Sequence, residues 1–201
     1  DDETEFRTFR WNGTDYTETG IANLNPGEAY WIITLDSWTL TGGSGESTDL
    51  ENPVSISLQS GWNQVGSPYN FTPNLYKADE GAVETSFYRY TGSGYSTTTT
   101  MSPGDGYWVY ANSSTSLKVG FDSGVVLARE SGGDQFEWKG NIIARVNGVD
   151  DSENIFGVMA DASETWDTAD RHEPPVIGNY ISVAFDNTHW SERGGFYSRD
   201  V

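Results

Sequence analysis

The sequence predicts an all-β protein: tandem small β modules followed by a β-sandwich or jelly-roll-like domain. Three observations predict it. The chain holds 23 glycines and many Ser and Thr residues, and 14% of its residues are aromatic, a composition that suits turns and strands. An internal repeat occupies the first 120 residues, and alternating segments without a helical period follow it. We expect units at 1–45, 46–121 and 122–201.

The repeat consists of an aromatic-Arg-aromatic triplet, a turn, a tyrosine and a Pro-Gly-x-x-Tyr-Trp segment, in that order twice. The first copy has these features at Phe9–Trp11, Asn12-Gly13, Tyr16 and Pro26–Trp31, and the second at Tyr88–Tyr90, Gly92–Gly94, Tyr95 and Pro103–Trp108. The copies are offset by 79 residues at the triplet (9 to 88) and by 77 at the tryptophan (31 to 108). So many matched aromatic residues indicate a duplicated β unit.

Each copy predicts a hairpin followed by two further strands. The triplet and the tyrosine strand flank a tight turn, and the Pro-Gly turn leads into a third strand, Tyr30–Leu35 or Tyr107–Tyr110. A fourth follows at Ser37–Leu40 or Ser116–Val119. Upstream of the second copy, Val54–Leu58 alternates as a half-buried strand does.

Between the parts of the second unit, residues 69–86 are less regular, and they leave room for a short helix around Leu75 to Ala78. The second unit also contains a Gly61-Trp62-Asn63 segment that has no counterpart in the first unit. We therefore expect an open sheet edge in the first unit. Open edges recruit strands, so a neighbouring subunit or an adjacent domain of a longer parent would complete it.

The second copy carries two motifs of a known kind. They are Leu-x-x-Gly-Trp-Asn-x-Val-Gly-x-Pro at Leu58–Pro68 and Pro-Gly-x-Gly-Tyr-Trp-Val at Pro103–Val109. They resemble a β-repeat module of secreted and cell-surface proteins of archaea and bacteria. The resemblance covers residues 52–120 well and 6–42 in part, with Ala29 in place of the last glycine. It implies an extracellular location and no catalytic residues.

The C-terminal segment predicts several strands without a helix. Candidates are Phe136–Val146, a buried strand at Ile155–Ala160, and Asn179–Phe185. The segment resembles the C-terminal β domain of large prokaryotic surface proteins in a series of spaced residues, namely Gly157, Val158, Ala162, Asp167, Asp170, Glu173, Pro174 and Pro175. In that family further strands follow, so we expect relatives to extend beyond this chain.

Charge and composition exclude several classes of function. The formal net charge of −19 repels phosphate backbones, which argues against nucleic-acid partners. Cysteine is absent, and His172 and His189 are not spaced as zinc ligands. No apolar run is long enough to span a membrane. The Asp167/Asp170 pair alone is weak support for glycoside hydrolysis. We expect a protein that is not an enzyme.

Calcium is the one cofactor that the sequence suggests, because hard cations prefer oxygen ligands. Two acidic stretches supply candidate ligands: Asp150, Asp151, Glu153, Asp161, Asp167, Asp170 and Glu173. Neither stretch has the EF-hand pattern, and the alternative is that both are solvated acidic loops whose carboxylates form caps and Asx turns. Asn12, Asn70 and Asn112 begin Asn-x-Ser/Thr sequons, which favours glycosylation in an extracellular protein, although a Ser/Thr/Asn-rich chain contains sequons by chance.

These features favour an extracellular structural or adhesive surface protein that self-assembles through strand edges into a filament, sheath or surface layer. Its partners would be identical subunits or adjacent domains of a longer parent. The alternative is a carbohydrate-binding module of a larger secreted protein. Tryptophans that would stack on sugars are Trp11, Trp38, Trp62, Trp166 and Trp190. Recurrence of Tyr-Trp at the same place in both copies favours a core role for those two positions.

Overall fold

The fold is all-β, as the sequence predicts. A computed structural model describes residues 5–20, 23–37, 39, 41, 45–79, 81–84, 86–121, 135–177 and 180–201. Fifteen strands form four sheets, and the described residues contain no helix. Accordingly, no helix in these ranges is long and apolar enough to cross a membrane.

The first sheet is built from the first repeat copy alone. Its strands are β1 (Phe6–Trp11), β2 (Tyr16–Glu18) and β3 (Trp31–Thr34), in the order β2-β1-β3. Both pairings are antiparallel. The Asn12-Gly13 turn joins β1 to β2 as expected, with Gly13 at a φ of 109°.

The second unit is a pair of packed sheets. Its strands are β4 (Val54–Leu58), β5 (Gly61–Gly66), β6 (Leu75–Lys77), β7 (Phe87–Tyr90), β8 (Tyr95–Thr98), β9 (Gly106–Ala111) and β10 (Thr115–Gly120). One sheet has the order β4-β10-β6 and the other β5-β9-β7-β8. Leu58 and Leu117 of the first meet Val65, Phe87 and Val109 of the second in a single buried core.

The repeat in the sequence is also a repeat in topology. The order β2-β1-β3 in the first unit corresponds to β8-β7-β9 in the second, strand by strand. The second unit has one strand more, because β5 pairs with the far edge of β9. Strand β5 holds the Gly-Trp-Asn segment, which has no counterpart within residues 1–45.

The C-terminal segment forms a five-stranded sheet of its own. Its strands are β11 (Phe136–Val146), β12 (Val149–Met159), β13 (Arg171–His172), β14 (Phe185–Asp186) and β15 (Phe196–Asp200). Strands β11 and β12 make a long hairpin, and β15 pairs in parallel with β12. Each of the four sheets thus draws its strands from one of the three units expected from the sequence; the unit boundaries themselves stay a prediction.

Three local expectations are wrong. Leu75–Lys77 is a strand, not a helix, because the free edge of β10 pairs with it. The strand predicted at Asn179–Phe185 does not form in the described residues before Phe185, where strand β14 begins. The backbone N–H of Val183 donates to the Asp151 carboxylate (2.8 Å) and not to a neighbouring strand. The strand expected at Ile155–Ala160 exists within β12, but Phe156 and Val158 on it are exposed and not buried.

The predicted strand Ser37–Leu40 includes Trp38 and Leu40, which lie outside the described residues. Its counterpart in the second copy, Ser116–Val119, is confirmed within β10.

An aromatic cluster joins the units. Trp108 is buried between the rings of Trp11 from the first unit (5.3 Å between centroids) and Trp62 from β5 (6.4 Å). Tyr95 contacts Tyr180 of the C-terminal unit (5.8 Å). Edge-to-face pairs of this kind contribute beyond their buried area.

Replacement of Leu117, fully buried at the centre of the β4-β10-β6 sheet, tests this core. We expect Leu117→Ala to lower the free energy of unfolding by about 2–5 kcal/mol in urea denaturation, because the site loses apolar contacts and gains a cavity. Lys118→Ala, the exposed neighbour, should change it by less than about 0.5 kcal/mol. Equal losses at both positions would contradict the assigned core.

Candidate functional site

The outer edge of β3 is the first candidate site. No described strand pairs with β3 on the side away from β1. The residues from Trp31 to Leu35 carry no charge, and Ile33 and Leu35 are 60% and 77% exposed. Uncharged, apolar edge strands are templates for pairing with another chain.

The backbone groups at this edge can be assigned to sides. Leu35 N–H donates to the carbonyl of Glu5 (2.9 Å), so it points towards β1. N–H groups alternate along a strand. Those of Ile33 and Trp31 therefore also face β1, whereas those of Ile32 and Thr34 face the open side.

Strand β11 has a second open edge, but it is differently built. It is eleven residues long and pairs within the described residues only with β12. Its exposed apolar residues alternate with charged ones, namely Glu137, Lys139 and Arg145. The Arg145 side chain lies 3.4 Å from the carboxylate of Asp150. Charges on an edge oppose unwanted pairing, so β11 is protected where β3 is not.

A cleft of about 620 Å³ lies where the first unit meets the second. Trp11 and Trp62 line it together with polar side chains that include Ser55, Ser57 and Gln64. The indole N–H of Trp11 donates to the Trp62 carbonyl (2.9 Å) and holds the two units together there. The Ser55 and Ser57 hydroxyls form no hydrogen bond within the described part of the chain, so they are available to a ligand.

The five tryptophans proposed for sugar stacking do not form one platform. Trp11 and Trp62 line the cleft. Trp166 is covered by the Arg193 guanidinium at 3.4 Å, and Trp190 packs on Tyr197. Trp38 lies outside the described residues.

The first acidic stretch is spread along β12 and engaged with neighbouring groups. Asp150 pairs with Arg145, and buried Asp151 accepts the N–H of Val183. Glu153 accepts from the Thr97 hydroxyl (3.3 Å).

Most carboxylates of the second acidic stretch accept hydrogen bonds from groups close to them in the chain. Asp161 is exposed in a turn, and Asp167 accepts from its own loop at the N–H of Ser163 (2.8 Å). Buried Asp170 accepts the N–H of Asp167 (2.9 Å), and Glu173 accepts hydroxyls of Tyr180 and Ser182. Among the described residues, no three His or acidic side chains are grouped as a metal site requires. Calcium binding stays a prediction.

Two of these carboxyl groups have strongly altered acidity. Burial raises the pKa of Asp170 to about 7, and the nearby Asp167 charge adds to the effect. Burial likewise raises the pKa of Glu173 to about 7, against the hydrogen bonds from Ser182 and Tyr180. Desolvation disfavours the charged form of each group.

The sequon asparagines differ in availability. Asn70 is exposed in a bend. The Asn12 amide nitrogen already donates to Thr17, and that of Asn112 donates to the Gly81 carbonyl (2.9 Å). Glycosylation of all three stays a prediction.

A buried pair that the sequence does not indicate joins the second and third units. His172 Nδ1 lies 2.8 Å from Glu84 Oε1, and both side chains are buried. The His172 ring stacks on Tyr110 at 3.6 Å. The partners are 88 residues apart, and no local pattern marks either one.

Comparison with known protein families, curated proteins and solved structures finds no match to this chain. The function therefore has to be argued from the geometry of these sites.

The two raised pKa values predict a pH-dependent stability. A carboxyl whose folded pKa lies above its unfolded value stabilises the fold below the unfolded pKa and loses that contribution as pH rises through the folded one. The unfolded values are near 4, so the free energy of unfolding should fall from about pH 5 to about pH 8. We expect Asp170→Asn to flatten this decline, measured by urea denaturation with EDTA present.

Asp161→Asn, which changes an exposed carboxyl of the same loop, is the control and should leave the slope as in the unmodified chain. A stability that rises between pH 5 and pH 8 would show that these groups are not buried as described.

Proposed function

We propose that the chain is an extracellular structural or adhesive surface module that assembles with identical subunits through its open strand edges. The observation that carries the proposal is the unpaired, uncharged and exposed outer edge of β3. No charge, proline or covering strand of the described chain protects this edge, although proteins ordinarily protect such edges.

The kind of contact made at this edge decides the kind of assembly. An isologous contact of β3 with itself closes as a dimer, whereas a heterologous contact, in which β3 of one copy receives a different segment of the next, leaves free ends and extends into a filament or a sheath. Strand β11 is poorly suited as that segment, because Glu137, Lys139 and Arg145 lie on it and Arg145 already pairs with Asp150.

The net charge sets the conditions for assembly. Copies with a formal charge of −19 repel one another at low salt. Raising NaCl from about 0.1 M to about 1 M shortens the screening length from about 10 Å to about 3 Å, while apolar contacts at the edge persist. Assembly should therefore increase with salt.

Sedimentation velocity across that salt range tests the proposal. The unmodified chain should pass from monomer to multimer as salt rises, and Ile33→Lys should remain monomeric because it places a charge on the β3 edge. Lysine lowers the net negative charge, so the loss would not come from added repulsion between copies.

Leu50→Lys makes the same change in charge at an exposed leucine outside the strands and should assemble normally. If the unmodified chain stays monomeric at the highest salt, or if both variants behave alike, the proposal is wrong.

The cleft favours a second candidate function, the binding of a neutral saccharide. Its volume of about 620 Å³ is within the range of ligand sites, and it combines the rings of Trp11 and Trp62 with hydroxyl and amide groups. Sugar C–H bonds stack on the negative faces of aromatic rings, and hydroxyls pair with polar side chains. Arg10 and Glu28 in the lining neutralise each other (2.6 Å), which favours an uncharged ligand.

Calorimetric titration with neutral cello-, xylo- and malto-oligosaccharides tests this candidate. We expect Ser57→Leu to weaken binding by about tenfold or more, a change of about 1.4 kcal/mol, because it removes a hydroxyl and fills the cleft. Ser191→Leu makes the same change at an exposed serine that does not line the cleft, and this variant should bind normally. Absence of heat with every sugar would eliminate the candidate.

A further inference from the structure

We infer that the open edge of β3 receives an antiparallel strand with the Gly-Trp-Asn sequence pattern of β5, supplied by another repeat unit of the same kind. The inference rests on the edge contact of the proposed function and adds the identity and register of the incoming strand. It is carried by the second unit, where the same edge is occupied.

The register follows from the equivalence of the two copies. In the second unit β5 runs antiparallel to β9, with Ala111 opposite Gly61, Val109 opposite Asn63 and Tyr110 opposite Trp62. The 77-residue offset makes Thr34, Ile32 and Ile33 the counterparts of Ala111, Val109 and Tyr110. An incoming strand in the same register therefore places glycine opposite Thr34, asparagine opposite Ile32 and tryptophan opposite Ile33.

Burial at equivalent positions differs as this arrangement requires. The Trp62 ring packs edge-on against Tyr110 at 5.2 Å, and the counterpart of Tyr110, Ile33, has no such cover among the described residues. A tryptophan opposite Ile33 would bury the apolar surface that is now exposed there.

The backbone N–H groups on the open side of β3 are also oriented to pair with the incoming strand. The carbonyl of Tyr110 accepts the N–H of Glu84 on the β7 side, so alternation turns Val109 and Ala111 towards β5. Their counterparts Ile32 and Thr34 are the two residues whose N–H groups face the open side of β3.

Strand β5 already acts as a joint between units. One edge pairs with β9, and the other touches the first unit, where Gly66 N–H donates to the Gly27 carbonyl (3.0 Å) and Glu28 forms a bridge with Val65. A Gly-Trp-Asn strand on β3 would link the first unit to a further unit in the same way. Units of this kind would then form a linear array held together by such strands.

A synthetic peptide with the sequence of Leu58–Pro68 provides the probe, added to the ¹⁵N-labelled chain. It contains no charged residue, so the acidic chain does not repel it. We expect shifts of the Ile32 and Thr34 amide signals and hydrogen exchange slowed at both by about tenfold or more. A peptide with Trp62→Ala should bind more weakly, because the side chain opposite Ile33 is lost.

Two proline variants of the labelled chain separate edge pairing from unspecific contact. Thr34→Pro removes an outward N–H without breaking the ladder to β1, and should abolish the shift at Ile32. Glu18→Pro makes the matching change at the outer edge of β2, where Thr19 N–H faces Thr8 and Glu18 N–H faces out, and should bind the peptide normally. Thermal melts of both variants verify that the fold is retained.

The outcomes distinguish this inference from the proposed self-assembly. Absence of shifts at the highest soluble peptide concentration, or equal binding of the Trp62→Ala peptide, overturns the inference. A chain whose assembly with salt is lost in both Ile33→Lys and Thr34→Pro, but whose Ile32 and Thr34 signals do not shift with the peptide, keeps the proposed function and overturns this inference. Peptide binding at Ile32 and Thr34 in a chain that never self-assembles supports the inference and removes the self-assembly.

Discussion

The burial of aromatic rings around Trp108 is the interaction on which the remaining structure depends. Trp108 lies on β9, the strand that pairs with both β5 and β7, and its ring meets one tryptophan of the first unit and one of β5. A three-stranded sheet such as β2-β1-β3 needs a hydrophobic face that is covered in order to be stable. By inserting Trp11 and Tyr16 into this cluster, the first unit obtains a core that its own strands do not supply.

The same constraint explains the polar groups buried at the joint with the third unit. Tyr95 reaches the cluster from β8, and its hydroxyl donates to the carbonyl of Pro175 (2.8 Å). Close packing of the two units also removes Glu84 and His172 from water, and each provides the other's hydrogen-bond partner. Burying one alone would be costly, so the pair ties the position of β13 to that of the second unit.

The sequence predicts many of the strands, and the exceptions arise because contacts with distant parts of the chain decide whether a segment pairs. Tight-turn glycines and aromatic residues at strand positions identify β1 and β9, because these signals are local. Leu75–Lys77 has no such signal, and only the free edge of β10 makes it a strand. The segment ending at Val183 alternates as a strand does, yet the Asp151 carboxylate takes the N–H that a neighbouring strand would need.

The sequence by itself determined the all-β class, the duplication, and the place of the Gly-Trp-Asn segment in the second copy. These properties depend on residue order and short-range periodicity. Only the tertiary structure decided that no described strand pairs with the outer side of β3, that Trp11 and Trp62 share a cleft, and that the acidic side chains of the described residues face separate partners. Pairing between distant strands and the burial of side chains depend on contacts across many residues, and periodicity along the chain does not encode them.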